Sequence, residues 1–182
     1  GTGFSPAPAP FAMNGVVGVN SMAEDGSLRH DADSDDPSKL NIHPEATVVA
    51  PGEKVRSADW LGGDGTTSGS SAATPLVAGV VAANMQKYPE ATGNQIIQSL
   101  ILNTWFEDHE LERFMDDGFG YGAASLRHTL REDPTSLPDV NPLMDKALDM
   151  PSVEDVAEYV ADVEQTPEAT PEDTPTDDPG QG

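Results

Sequence analysis

The sequence predicts an α/β layered domain followed by an acidic tail, and three observations indicate this organisation. Short apolar runs typical of buried strands occupy the first part of the chain, and longer stretches with helical periodicity follow them. Strands that precede long helices favour a layered α/β domain. The composition then changes near residue 133. We therefore expect a domain over residues 1–133, a Pro-containing connector over 134–165, and a disordered acidic Pro/Thr-rich spacer over 166–182.

Three segments are predicted strands. Residues 15–19 form a continuous apolar run of the kind found in a buried strand. Residues 46–50 form another, which Pro51-Gly52 ends. Residues 54–57 alternate weakly between apolar and polar side chains, which indicates a third strand.

Two segments are predicted helices. Residues 72–88 are Ala-rich and apolar almost all round, which predicts a helix buried on every side. Pro75 is tolerated in the first turn, so we expect this helix to begin close to Ser71. Thr92 is a predicted cap for a second helix, whose apolar stripe runs from Ile96 to Ile101. Residues 152–161 have the spacing of a short acidic helix in the connector.

The charge restricts the partners of the chain. It has 32 acidic and 9 Lys or Arg residues, for a net charge of -23. This balance argues against binding to nucleic acid, which needs a basic surface, and against binding to anionic lipid. The chain has no Cys, which excludes disulfides and thiolate metal sites, and no apolar run long enough to span a bilayer.

Residues 65–79 carry the most specific chemical signal. A glycine-rich approach leads to Ser71 at the mouth of the first predicted helix, where backbone N–H groups are unpaired and partially positive. A serine placed there can attack a carbonyl while its own N–H stabilises the oxyanion that forms. On these local grounds alone, a plain N-terminal cap on a buried helix is the commoner explanation.

Four landmarks resemble those of the subtilisin-like serine proteases, and they occur in the family's order. They are the apolar run at 15–19, the Val-Val-Ala-Pro-Gly at 48–52, the Gly-Ser-Ser-Ala-Ala-Thr-Pro at 69–75 with Leu-Val-Ala-Gly after it, and the Gly-Tyr-Gly at 120–122. Ser70 stands where the family usually has Thr, and Leu76 where it often has His. The resemblance implies the C-terminal part of a three-layer, parallel-sheet, subtilisin-like domain.

The resemblance also implies roles for particular residues. Ser71 would be the nucleophile of an endopeptidase and its N–H an oxyanion donor, while the hydroxyl of Ser70 would lie beside the oxyanion hole. Pro8 and Ala9 would fall near the wall of the specificity pocket. The substrate would be a polypeptide, and no cofactor is required. Family members often bind structural calcium, but the acidic run at 31–36 lacks the glycine and the glutamate of a calcium loop.

The family's Asp and His motifs occur nowhere in the 182 residues. None of His30, His43, His109 and His128 has the family's context, and we expect His30 and His43 to be solvated surface residues. The chain is therefore expected to be an N-terminally truncated fragment, nearly inactive alone because the serine lacks its general base. The alternative is a non-catalytic relative that acts as a surface binding module. The acidic spacer favours a secreted or cell-surface protein.

Overall fold

The computed structural model describes residues 10–29, 43, 45–58, 62–105 and 118–146. These residues belong to one compact unit, which is bounded at Met150. The elements in chain order are β1 (Val19–Met22), β2 (Val48–Pro51), β3 (Val55–Ala58), β4 (Asp64–Thr67), α1 (Ser70–Lys87), α2 (Gly93–Leu102), α3 (Leu126–Thr129) and a short 3-10 helix (Pro134–Ser136).

Strands β1 and β2 pair in parallel, with Val19 opposite Val48 and Met22 opposite Pro51. On the other side of β2, Val49 forms a parallel bridge with Ala123. Alternate residues of β2 point to opposite faces of the sheet, so its side chains pack into two separate apolar clusters. Val48 and Ala50 pack toward α1, whereas Val49 packs with Leu28 and Ala123. This parallel sheet with helices confirms the predicted α/β class; the spacer at 166–182 lies outside the described residues.

The first strand lies later in the chain than the sequence predicts. Pairing begins at Gly18, whose carbonyl accepts from the N–H groups of Thr47 and Val48, and the strand then runs to Met22. The prediction was wrong because Asn20 and Ser21 are polar and yet buried. The side chain of Asn20 accepts from Ser21 N and donates to Gly118 O, so its burial leaves those polar groups paired.

Strands β3 and β4 form an antiparallel hairpin with Val55 opposite Thr67. Half-buried and exposed residues alternate along both strands, and β3 agrees with the strand predicted at 54–57. Arg56 and Asp64 form an ion pair across the hairpin at 2.6 Å. Only Ser68 and Gly69 separate the end of β4 from the start of α1, so the hairpin directly precedes that helix.

Helix α1 is buried on one face only. Ala73, Val77 and Val80 pack against β1 and β2, while Leu76 and Met85 are 43% and 53% exposed. The prediction of burial on every side was wrong for this chain. The helix is apolar as the sequence indicates, but in the described part of the chain its contacts with the sheet, α2 and α3 leave Leu76 and Met85 exposed. An apolar helix face therefore remains open to solvent.

Helix α2 begins and packs as the sequence predicts. Thr92 caps it with a complete capping box: the Thr92 side chain accepts from Gln95 N, and the Gln95 side chain accepts from Thr92 N. Ile96, Leu100 and Ile101 are at most 2% exposed. The apolar stripe thus faces the core, and the cap fixes where the helix starts.

Gly120 lets the segment 118–124 approach β2 closely. It has a φ of 61°, and a Cβ at this position would lie 2.4 Å from Ala46 O. The backbone then pairs with β2 through Tyr121 N to Thr47 O at 2.7 Å and Ala124 N to Val49 O at 2.9 Å. Only glycine satisfies both the left-handed conformation and the close approach.

Residues 134–146, here called the C-terminal strap, pack on the domain through polar contacts. Gln98 Nε2 donates to two strap carbonyls, those of Pro138 and Val140, each at 2.6 Å. Gly15 N donates to Leu143 O at 2.7 Å. The side chain of Leu143 is completely buried. The side-chain amide of Gln98 thus satisfies two backbone carbonyls of the strap, which is not paired with a strand in the described residues.

Candidate active site at the start of helix α1

Ser71 is the second residue of α1, and its side chain is exposed. The helix is capped by Gly69, whose φ of 131° brings the chain into the helix immediately before Ser70. The N–H groups of Ala72 and Ala73 both donate to Gly69 O. Such a φ is unfavourable for residues with a side chain, which explains the glycine at this position. The glycine-rich approach therefore places Ser71 at the mouth of the helix, as the sequence predicts.

Ser71 is not the helix cap, and this removes the simpler explanation of the motif. Gly69 holds the cap position and offers no side-chain hydrogen bond. In the described ranges, the N–H groups of Ser70 and Ser71 have no acceptor, and Ser71 Oγ has no hydrogen-bond partner. An exposed hydroxyl beside two unpaired N–H groups is the arrangement that oxyanion stabilisation requires.

Tight packing with β1 and β2 holds this turn in place. Gly69 N donates to Gly52 O at 2.7 Å, and Gly52 N donates to Met22 O at 2.9 Å. A Cβ at Gly52 would lie 2.4 Å from Ser21 Cβ and 2.8 Å from Gly69 O. The end of β2 therefore contacts both β1 and the start of α1, which fixes the position of Ser71 relative to the sheet.

Pro75 lies inside α1, in its second turn, and the prediction of a first-turn position was wrong. The helix begins at Ser70, close to Ser71 as expected, where Gly69 has the positive φ that precedes it. Proline has no N–H to donate to the carbonyl four residues earlier, which is that of Ser71. The preceding carbonyl, Ser70 O, also accepts from a side chain, Thr74 Oγ1, at 2.8 Å. The first turn thus departs from regular helical bonding where Ser71 lies.

Neither described histidine is hydrogen-bonded to Ser71. His128 lies on α3, with Nδ1 3.4 Å from Thr104 O and its ring stacked on Trp105. His43 is half-buried against the ring of Phe11, so the expected solvated surface position was only partly right. His30 and His109 lie outside the described residues, as do Pro8 and Ala9. In the described part of the chain, Ser70 and Ser71 thus lie side by side at the start of α1, and no histidine is hydrogen-bonded to Ser71 as a general base.

One residue near the site carried no signal in the sequence. Arg29 follows the turn after β1, and its Nη1 lies 3.7 Å from the point where a Gly69 Cβ would stand. Ser71 Oγ lies 3.3 Å from the same point. The two residues are far apart in sequence, and only the pairing of β1 with β2 brings them together. No motif or periodicity in the chain indicates this proximity.

The described residues offer no resident metal centre beside this serine. Within the described ranges, no three His, Asp or Glu side chains are grouped so as to hold an ion. The acidic run at 31–36 lies outside those ranges. Hydrogen bonds lower the pKa values of three exposed carboxyls: Asp25 through Ser27, Asp133 through Thr135, and Asp139 through Thr92 and Asn94. These carboxyls stabilise turns and the strap, and they take no part in the site around Ser71.

No helix among the described residues has the length and apolar character needed to cross a membrane.

A parallel sheet with a serine at the start of its packing helix is an arrangement of the serine peptidase class. The model of the subtilase family, peptidase family S8, matches residues 2–122. The chain therefore belongs to the subtilase family, and the predicted resemblance is confirmed. No curated protein matches the chain.

Solved structures agree with this assignment. The chain is similar to fervidolysin from Fervidobacterium pennivorans, a keratinolytic enzyme, at 22% identity and a TM-score of 0.53 over 70% of this chain and 21% of that one. It is similar to a Pseudoalteromonas arctica protease at 27% identity and 0.52 over 67% and 37%. It is also similar to the Clostridium perfringens CspB protease at 28% identity and 0.51 over 67% and 27%. The chain thus spans between a fifth and two fifths of the length of these proteins. At 22% identity the first likeness shows the fold alone.

Proposed function

We propose that Ser71 is the nucleophile of a subtilisin-type serine endopeptidase, which forms an acyl-enzyme with a polypeptide substrate. The observation that supports this most is its exposed hydroxyl at the second position of α1, beside the unpaired N–H groups of Ser70 and Ser71. Ser71 N–H would stabilise the oxyanion as the carbonyl carbon becomes tetrahedral. Ser70 Oγ would lie beside the same oxygen, and Pro8 and Ala9 would line the specificity pocket.

The general base would come from polypeptide outside the 182 residues. Without a base, the serine hydroxyl is a poor nucleophile, and loss of one triad member costs several powers of ten in rate. The open apolar face of α1 supports this proposal. Its Leu76 and Met85 are largely exposed although they lie on the helix that carries the nucleophile. Apolar surface of this kind is stabilised when further polypeptide covers it. The 182-residue chain alone is therefore expected to be inactive.

One experiment separates the nucleophile from its neighbours. The full gene product is treated with a fluorophosphonate probe, and labelling is compared between the native protein and Ser71→Ala. Ser68→Ala is the matched control, because it removes a nearby exposed hydroxyl that only accepts from Lys54 N. We expect labelling in the native protein and in the control, and none in Ser71→Ala. Equal labelling of all three would overturn the assignment. The 182-residue chain should give only background labelling.

A second candidate is a non-catalytic relative that acts as a surface binding module. The absence of a hydrogen-bonded base from Ser71 in the described residues favours it. The sequence of the whole gene decides between the two: the family's Asp and His motifs upstream of residue 1 support the enzyme. A complete upstream sequence without them supports the binding module. We further propose a secreted or cell-surface location, which the acidic composition supports through solubility.

A further inference from the structure

A guanidinium group lies beside the candidate nucleophile. Ser71 Oγ and Arg29 Nη1 lie 3.3 and 3.7 Å from the point where a Cβ of Gly69 would stand. Because Gly69 has no side chain, that point is unoccupied, and both the guanidinium and the hydroxyl lie next to it. A polypeptide bound at Ser71 would therefore have a cation nearby.

The backbone around Arg29 fixes its position relative to Ser71. Arg29 N donates to Ser21 O at 3.0 Å, and the adjacent Leu28 is buried with Val49 on the sheet. Ser21 in turn packs against Gly52, whose carbonyl accepts from Gly69 N. A continuous series of close backbone contacts thus joins Arg29 to the start of α1. These contacts fix the backbone of Arg29 close to the start of α1, within reach of its guanidinium group.

The charge on Arg29 is available to a ligand. The ion pairs within the described residues use Lys54 and Arg56, and none involves Arg29. Arg29 is also half-buried, which screens its charge less than full exposure would. Two features favour a carboxylate as the partner of such a group. The guanidinium fork matches a carboxylate with two parallel hydrogen bonds, and the unpaired N–H groups of α1 add positive potential nearby.

We propose that Arg29 determines substrate specificity by binding a carboxylate in the residues that flank the scissile bond. This inference rests on the proposed function, because it takes Ser71 as the residue that attacks that bond. The substrate class is a polypeptide with Asp or Glu near the cleavage site. Arg29 takes no part in the covalent step; it orients the substrate and lowers KM for acidic sequences. The net charge of -23 repels acidic peptides at long range, so the attraction is local.

The test uses the full gene product and pairs of fluorogenic peptides. Each pair differs only by Glu or Gln, placed in turn at the two residues on either side of the scissile bond. We expect the native protein to prefer Glu at one position by about tenfold in kcat/KM, the usual effect of a hydrogen bond to a charged group. Arg29→Gln should reduce this ratio to about one by lowering kcat/KM for the Glu peptide. Arg29→Lys should retain part of the preference, because it keeps the charge and loses the fork.

Arg127→Gln is the matched control, since it removes the same charge from an exposed position on α3. It should leave the Glu preference unchanged. A preference that is absent in the native protein, or that persists in Arg29→Gln, would overturn the proposal for Arg29. The fluorophosphonate probe carries no carboxylate, so its reaction with Ser71 reports on the proposed function separately. Labelling of Ser71 without any Glu preference refutes only the role of Arg29, whereas absence of labelling refutes both proposals.

Discussion

Gly52→Ala should disrupt the start of α1 through a single added methyl group. The new Cβ would lie 2.4 Å from Ser21 Cβ and 2.8 Å from Gly69 O, both closer than real Cβ contacts. The neighbours are a buried strand residue and a backbone carbonyl, and neither can rotate away. The strand ends must therefore separate, which weakens the hydrogen bonds from Gly69 N to Gly52 O and from Gly52 N to Met22 O.

The expected cost follows from these two effects. Overpacking a close-packed site costs about 1–3 kcal/mol, and each weakened hydrogen bond about 1 kcal/mol at most. We expect Gly52→Ala to lower the free energy of unfolding by about 2–4 kcal/mol, measured by urea denaturation. In the full gene product, labelling of Ser71 should also slow, because the oxyanion donors at the start of α1 move with Gly69.

Gly79→Ala is the matched control, because the chemical change is identical and the surroundings are open. A Cβ at Gly79 has no neighbour within 4 Å, and the residue lies in the middle of α1. Alanine is the better helix former, so this variant should be more stable by about 0.5–1 kcal/mol. Equal urea midpoints for Gly52→Ala and the native protein would refute the close contact between β2 and α1.

Two further predictions concern the C-terminal strap. Lys146 Nζ donates to Phe11 O at 2.9 Å and to Glu45 O at 3.0 Å, and Lys146→Met leaves those carbonyls without this donor. We expect the variant to lower the free energy of unfolding by about 1–3 kcal/mol in urea denaturation. An unchanged urea midpoint would contradict this prediction. Asp139 accepts from Thr92 Oγ1, which holds its pKa below the ordinary value of 3.8. Its ionised form therefore adds stability that is present above pH 3.8 and is lost as the pH falls through the lowered pKa. Melting temperatures of the native protein and Asp139→Asn should converge in acid, separate as the pH rises from the lowered pKa to 3.8, and keep their difference above that pH; a difference that stays the same down into acid would contradict this.

The apolar periodicity determined most of the secondary structure. The Thr92 cap, the buried stripe of α2 and the strand at β2 depend on local patterns, so the sequence alone predicts them. The start of β1 could not be predicted in this way. Its buried Asn20 is satisfied by Gly118, a residue distant in sequence, and such long-range pairing leaves no periodic signal.

The sequence by itself determined the family and the candidate nucleophile, because the residues around Ser71 form a local motif in an ordered set of landmarks. Tertiary structure decided three things that local sequence cannot encode. It showed that Gly69 rather than Ser71 caps α1, that one apolar face of α1 remains open, and that Arg29 lies beside Ser71. Each depends on how separate segments pack on the sheet, and the parallel pairing of β1 with β2 sets that packing.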